Sequence, residues 1–225
     1  MKPEIIFEDN YILVVYKPPG WVVPGLEFNE SIEKWATERL SQQPGKFRLG
    51  LPHRLDRLTS GIVLLSKKAQ TLKDLSLQFE QRTIQKKYVA IVQGTPSDES
   101  GRLIHYIEKN NTKQRADVFE KGGTDRKYAE LAYQTIVKEE KTTLLDIQLL
   151  TGRYHQIRAQ FSHIGHPVLG DRKYDSEAPF YPFYALHSYA LTFIHPKSKE
   201  RMVFTQLPPD RSFWKPYRDI LQKKM

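Results

Sequence analysis

Pro52 to Lys67 (PHRLDRLTSGIVLLSK) runs from a polar, charged loop directly into a short apolar segment, and Ile62 to Leu65 reads as a buried strand. Beyond it, Leu72, Leu75 and Phe79 recur at spacings of three and four, which predicts an amphipathic helix. Upstream, Ile5-Ile6-Phe7 and Tyr11 to Tyr16 (YILVVY) read as two strands joined at the turn-favouring pair Asp9-Asn10. Lys17-Pro18-Pro19-Gly20 ends the second strand, since consecutive prolines cannot continue a ladder. Ile32, Trp35, Ala36 and Leu40 share a helical face that Pro44-Gly45 closes.

Downstream, Lys87 to Gln93, Lys127 to Val137 and Thr142 to Leu150 have strand composition. Ile157, Phe161 and Ile164 fit a short helix ended by Gly165, and Phe213, Tyr217, Ile220 and Leu221 a C-terminal helix begun by Asp210. Many strands with irregularly placed helices predict an α+β fold: a mixed, mainly antiparallel central sheet with flanking helices. No repeat, low-complexity tract or linker divides the chain, so residues 1–225 read as a single domain.

The formal net charge is +9 over 225 residues, and it is unevenly placed. Residues 1–40 carry −3, 41–95 carry +7, 96–150 carry −1 and 151–225 carry +6. A basic surface of this kind steers a polyanion, although charge alone fits a merely solvated surface equally well. The absence of cysteine excludes a disulfide scaffold, a thiol nucleophile, an Fe–S cluster and any zinc site that needs sulfur. No apolar run approaches a membrane span and the N-terminal MKPEIIFEDN lacks the pattern of a signal peptide, so a cytoplasmic protein is expected.

Asp56 stands between Arg54 and Arg57, cations that favour its ionised form. Taken alone, such an Asp is more often a turn or capping residue paired with a neighbouring Arg. Tyr88, on a strand, is by default a core aromatic, Ile157 helix core, and Arg158 a solvated charge. His155, His163 and His166 invite a metal reading, but Gly165 and Pro167 interrupt the helix there, so no metal site is expected.

The full string changes this reading. His53-Arg54-Leu55-Asp56, followed by Thr59-Ser60-Gly61 and Lys67, resembles the signature of the RluA-type family of RNA pseudouridine synthases. Three more blocks match in order. Glu8-Asp9 with Ile12 to Gly25 resembles the family's opening strand and Lys-Pro-x-Gly turn, and Lys86-Lys87-Tyr88-Val89-Ala90 its Lys-x-Tyr strand. Leu150 to Arg158 (LTGRYHQIR), continuing through Gly165-His166-Pro167 to Gly170-Asp171 and Tyr174, resembles its third block. The chain departs at Asp175, where the family usually has Gly, and only four residues precede Ile5, so the RNA-binding appendage many relatives carry is not expected.

The resemblance implies a pseudouridine-synthase-like catalytic domain that detaches a uridine's base from its ribose, turns it and rejoins it through carbon 5. Such an isomerisation requires no cofactor and no metal. The expected partner is RNA, ribosomal or transfer, presenting a flipped uridine; no membrane partner is expected, and a monomer is. By transfer, Asp56 starts the chemistry, Tyr88 stacks on the flipped base, and Arg158 pairs with Asp56 and keeps it ionised. Ile157 walls the uracil, Arg54 holds the nucleotide out of its helix, Lys86 and Lys87 meet phosphates, and His53 and Thr59 fall among the substrate contacts. Two rivals are weighed: an inactive RNA-binding module, which has no need of Asp56, Tyr88 and Arg158 together, and a glycosidase-like hydrolase, which needs a second carboxylate where the blocks offer only Asp171, a residue that follows Gly170 in a turn and reads as structural.

Overall fold

A computed structural model describes residues 1–177, 181–210 and 212–225. The chain forms two compact units, residues 1–85 with 188–225 and residues 86–187. No helix among the described residues is long and apolar enough to cross a membrane.

The first unit begins with β1 (Glu4–Glu8) and β2 (Ile12–Lys17), an antiparallel pair. Their turn is closed by Asp9, whose Oδ1 accepts the Tyr11 and Ile12 amides at 2.7 Å each. That is the local side-chain capping that makes Asp a turn residue. Helix α1 (Ile32–Ser41) is capped by Ser31, whose hydroxyl accepts the Lys34 amide, and buries Ile32, Ala36 and Leu40. Strand β3 (Ser60–Ser66) is buried along its whole length and pairs antiparallel with β2; α2 (Ala69–Glu80) follows it. Both ladder strands are apolar runs, as expected where neither face meets water.

Among its described residues the second unit is an antiparallel sheet with one α-helix. Its strands are β4 (Gln85–Gln93), β5 (Ser100–Asn110), β6 (Arg115–Phe119), β7 (Lys127–Lys138) and β8 (Thr142–Leu149), in the spatial order β4-β8-β7-β5-β6. Helix α3 (Gln156–His163) contributes Ala159 to a small core with Ile107, Ala116, Ala129 and Tyr174.

The chain then returns to the first unit. There β9 (Leu186–Ile194) lies beside β3 and carries β10 (Arg201–Thr205) in an antiparallel pair. Ile12, Val14, Ile62, Leu64, Leu75, Ile84, Leu191 and Phe193 form this unit's core. The C-terminus differs from the expectation of one helix begun by Asp210. Ser212–Tyr217 is a 3₁₀ turn containing Pro216, and α4 (Arg218–Lys224) starts only after it, with Tyr217 at its N-cap. The proline ring removes an amide donor and clashes with a continuing α-helix, so the regular segment begins beyond it. Strands β5, β6, β9 and β10 were not singled out in the sequence: β5, β6 and β10 mix polar with apolar positions, and β9 carries His187, Ser188 and Thr192 through a mostly buried run. The α+β class holds: among the described residues antiparallel pairing dominates and four α-helices accompany it.

Two backbone positions make opposite demands. Gly61, in the Thr-Ser-Gly segment, has φ +127°, and a β-carbon there would run into the main chain of Ser188. Asp175, standing where the family resemblance expects Gly, adopts φ 63° and caps the 3₁₀ turn Arg172–Tyr174. Gly61→Ala should therefore cost about 2–4 kcal/mol. Asp175→Gly should gain about 0.5–1 kcal/mol, the relief of a left-handed residue with a β-carbon. Urea unfolding of the two variants checks both; equal signs would refute the steric account.

Candidate active site

The loop that carries Asp56 is tied down at several points within the first unit. Leu55 is buried and anchors it, while Arg54 and Arg57 are exposed and Asp56 is half-buried. The Asp56 carbonyl accepts the Thr59 amide at 3.1 Å, closing a turn behind the carboxylate. Thr59 and Ser60 are both buried. At the start of the loop, His53 Nε2 accepts the Leu64 amide of β3 at 2.9 Å, and its ring stacks on Phe79 of α2 with centroids 4.8 Å apart.

Beyond Asp56, the loop is joined to the Lys17-Pro18-Pro19-Gly20 turn. The Arg57 carbonyl accepts the Gly20 amide at 2.8 Å, and Arg57 Nε donates to the Gly20 carbonyl at 3.1 Å. Lys17 completes the joint. Its side chain is fully buried, and Nζ donates to the carbonyls of Pro18 (3.2 Å), Trp21 (2.8 Å) and Arg57 (3.0 Å). Three carbonyls match the three N–H donors of an ammonium. Burial pulls the Lys17 amine down from its ordinary 10.5 to about 7; the Asp56 carboxylate pulls it back up and Arg57 pushes it further down.

The neighbouring motif residues are structural ties. Lys67 Nζ donates to Glu8 Oε1 at 2.9 Å and to the Asp9 carbonyl at 2.7 Å, so the end of the signature segment clasps the opening block.

In the second unit, the segment Thr151 to Arg158 braces itself before the helix begins. Gln156 Oε1 accepts the Thr151 hydroxyl (2.7 Å) and the Arg153 amide (3.0 Å), while its Nε2 donates to the Glu130 carbonyl (3.1 Å). His155, at φ 53°, takes the N-cap position; its ring stacks on Tyr154 and its Nδ1 lies 2.9 Å from the Tyr174 hydroxyl. Arg158 is buried and forms a two-pronged pair with Asp171: Nε to Oδ2 at 2.6 Å and Nη2 to Oδ1 at 3.0 Å. Its guanidinium faces the rings of Tyr184 at 4.4 Å and Tyr174 at 4.9 Å. Ile157 is buried beside it on α3, and Tyr88 is buried on β4 opposite Ile147 of β8. Lys86 Nζ hangs over Gly152, 3.3 Å from where a β-carbon would stand, bringing the second and third blocks together.

Of the expected residues, the first unit thus holds His53, Arg54, Asp56 and Thr59 on one clamped loop, and the second holds Lys86, Lys87, Tyr88, Ile157 and Arg158. Two residues without an assigned chemical role turn out to be tied to the site. Lys17 was visible only as the start of a proline turn, and Asp171 was read as a turn residue. What would have pointed to them is that each is a charged residue inside a matched block.

The three histidines considered for metal binding go separate ways. His166 Nδ1 meets the Gln93 carbonyl at 3.0 Å and His155 meets Tyr174, whereas His163 joins His105 and Glu120. Among the described residues that last trio is the one group with metal-ligand spacing. Gln160 sets its chemistry. Its Nε2 faces the Leu103 and Ala129 carbonyls and also His105 Nδ1 at 2.9 Å. His105 Nδ1 is therefore an acceptor, and the neutral ring keeps its proton on Nε2, the atom facing Glu120. Burial lowers the His105 pKa and holds the ring neutral. A cation would need that Nε2 lone pair, so this arrangement suits a hydrogen-bonded carboxylate better than a metal ion.

Residues 11–163 match the family model described as RNA pseudouridylate synthase. An uncharacterized RNA pseudouridine synthase of Aquifex aeolicus is 34% identical over 93% of this chain and 72% of its own length. A ribosomal large subunit pseudouridine synthase C of Vibrio cholerae is 32% identical over 88% of this chain and 63% of its own. A ribosomal large subunit pseudouridine synthase D of Zymomonas mobilis is 32% identical over 92% and 70%. The chain is thus shorter than these relatives. Among solved structures, human RNA pseudouridylate synthase domain containing 4 superposes with a TM-score of 0.75 at 22% identity, covering 91% of this chain and 88% of that one. That likeness bears on the fold.

The Lys17 geometry makes a testable statement about stability. Its amine titrates near 7 in the folded chain and near 10.5 when unfolded, so between those values the folded chain holds fewer protons. The Lys17 contribution to stability is accordingly smallest below pH 7 and rises as pH climbs through the window. Relative to Lys17→Met, the parent chain should gain in Tm between pH 7 and 9; a constant difference across that range would contradict the buried-ammonium account.

Proposed function

The chain belongs to the RNA pseudouridylate synthase family, whose members are isomerases, and on that premise we propose that it converts specific uridines in RNA to pseudouridine. The observation that carries this reading is the clamped loop: Asp56 is half-buried, fixed by the Thr59 turn, and within the electrostatic reach of the buried Lys17 ammonium. A carboxylate held in this way is suited to act on a reacting centre brought to it.

In this reading the uridine leaves its stack, at a cost of a few kcal/mol, and stacking on an aromatic ring and backbone contacts offset that cost. Asp56 initiates cleavage of the bond between ribose and base nitrogen. The uracil, detached but retained, turns and rejoins through carbon 5, so atoms and charge balance without a co-reactant. Tyr88 supplies the stacking ring, Ile157 an apolar wall, and Arg158 the cation of the site. Its bidentate pair with Asp171 holds the Arg158 guanidinium in a fixed plane. Arg54, exposed on the loop, enters the space the nucleotide leaves, and Lys86 and Lys87 meet phosphates.

Relatives named for the ribosomal large subunit make ribosomal RNA the first substrate to try, with transfer RNA beside it. We further propose that the 225 residues work as a single catalytic domain, as a monomer and in the cytoplasm.

Mapping pseudouridines in cellular RNA with and without the protein should reveal sites that vanish in its absence. Asp56→Asn should abolish their formation and leave RNA affinity within a few-fold. Turnover by that variant would refute the role of Asp56, and unchanged affinity with no mapped site in the parent would favour a binding module.

A further inference from the structure

The motif histidine is expected among the substrate contacts, yet its ring already has two partners inside the first unit. His53 Nε2 accepts the amide of Leu64, a residue with no exposed surface in the middle of β3. The ring lies parallel to Phe79, at an interplanar angle of 23°, and Phe79 packs on the core of that unit. A buried strand amide that loses its acceptor costs the full desolvation of an N–H group, so the bond is one the fold has reason to keep. Accepting at Nε2 also requires that nitrogen to carry a lone pair, which fixes the ring as neutral with its proton on Nδ1.

The bond's place in the chain matters more than its strength. His53 lies three residues before Asp56, and the Arg57 carbonyl, gripped by Lys17 and the Gly20 amide, lies immediately after it. Between these two points only Leu55 is anchored by burial. Asp56 therefore sits on a short span pinned at both ends, and releasing the His53 end lets the carboxylate drift relative to the strand that orients the loop.

We propose that His53 is a positioning residue for Asp56: a neutral imidazole, clamped on Phe79, that moors the start of the Asp56 loop to the Leu64 amide. It touches no substrate, and its effect falls on the chemical step. This rests on the role of Asp56 proposed above.

Glutamine tests the idea because its side-chain oxygen reaches the position of Nε2 and can accept the same amide, whereas leucine cannot. The assay uses full-length protein and the RNA on which the parent chain forms pseudouridine, at a temperature at least 10 °C below the Tm of each variant. His53→Leu should lower kcat about 100-fold, the scale of a displacement near 1 Å, with RNA affinity within a few-fold of the parent. His53→Gln should recover most of that loss. The proposal is overturned if Gln is as impaired as Leu, or if Leu keeps its kcat and loses affinity, since either result makes the ring a substrate contact.

Asp56→Asn is run beside them. Turnover by Asp56→Asn defeats the functional reading itself, whereas loss there with an unimpaired His53→Leu defeats only the tether. Hydrogen exchange gives a readout independent of activity: the Leu64 amide should lose protection at least about tenfold in His53→Leu and keep it in His53→Gln. Equal protection in both would overturn the mooring.

Discussion

A single buried ammonium holds together the loop that carries Asp56. Lys17 reaches three carbonyls at once, and one of them belongs to the residue that follows Asp56. Burying a cation is costly unless every donor is met, and here the surrounding backbone meets all three. The proline turn exists to present those carbonyls: Pro18 and Pro19 cannot donate amides to a ladder, so the chain leaves β2 and curls back over the Lys17 side chain. The result is a loop whose geometry follows from a main-chain network rather than from side-chain packing alone.

The second unit uses a different device for a similar end. Arg158 and Asp171 are both buried, and their two-pronged bond leaves little freedom of rotation. Such a pair contributes little net stability against an apolar replacement, but removing one member strands a charge in the interior. What it provides is a fixed plane, reinforced by the rings of Tyr174 and Tyr184. Gln156 and Thr151 do the same for the start of α3, knotting the segment to Glu130 before the helix begins.

Much of this was legible in the sequence, for physical reasons that can be named. Ile62 to Leu65 and the strand ending at Tyr16 were readable because fully buried strands are apolar runs. The turn at Asp9 was readable because its carboxylate satisfies its own backbone. Strands β5 and β6 were missed, since their exposed polar faces carry Arg102, Glu108 and Lys109 among short apolar positions. The C-terminal helix started late because Pro216 outweighed the periodicity around it. At the site, residue types could be transferred but not their local duties. Nothing in a linear string shows that His53 spends its lone pair on Leu64, that Asp171 answers Arg158, or that Lys17 is buried. Those facts depend on which backbone atoms the fold brings within 3 Å.

Lys17 has one more property. An amine that titrates near 7 would ordinarily be the most nucleophilic lysine on a protein and the first to react with an acylating reagent. Here it is walled off, with every hydrogen engaged and no surface exposed. The lowered basicity belongs to the closed state: when the proline turn lifts away from the loop, water reaches the amine and its proton affinity returns toward that of an ordinary lysine. A slow, saturating modification of this one lysine would act as a clock for that opening, counting the moments when the Asp56 loop loses its hold.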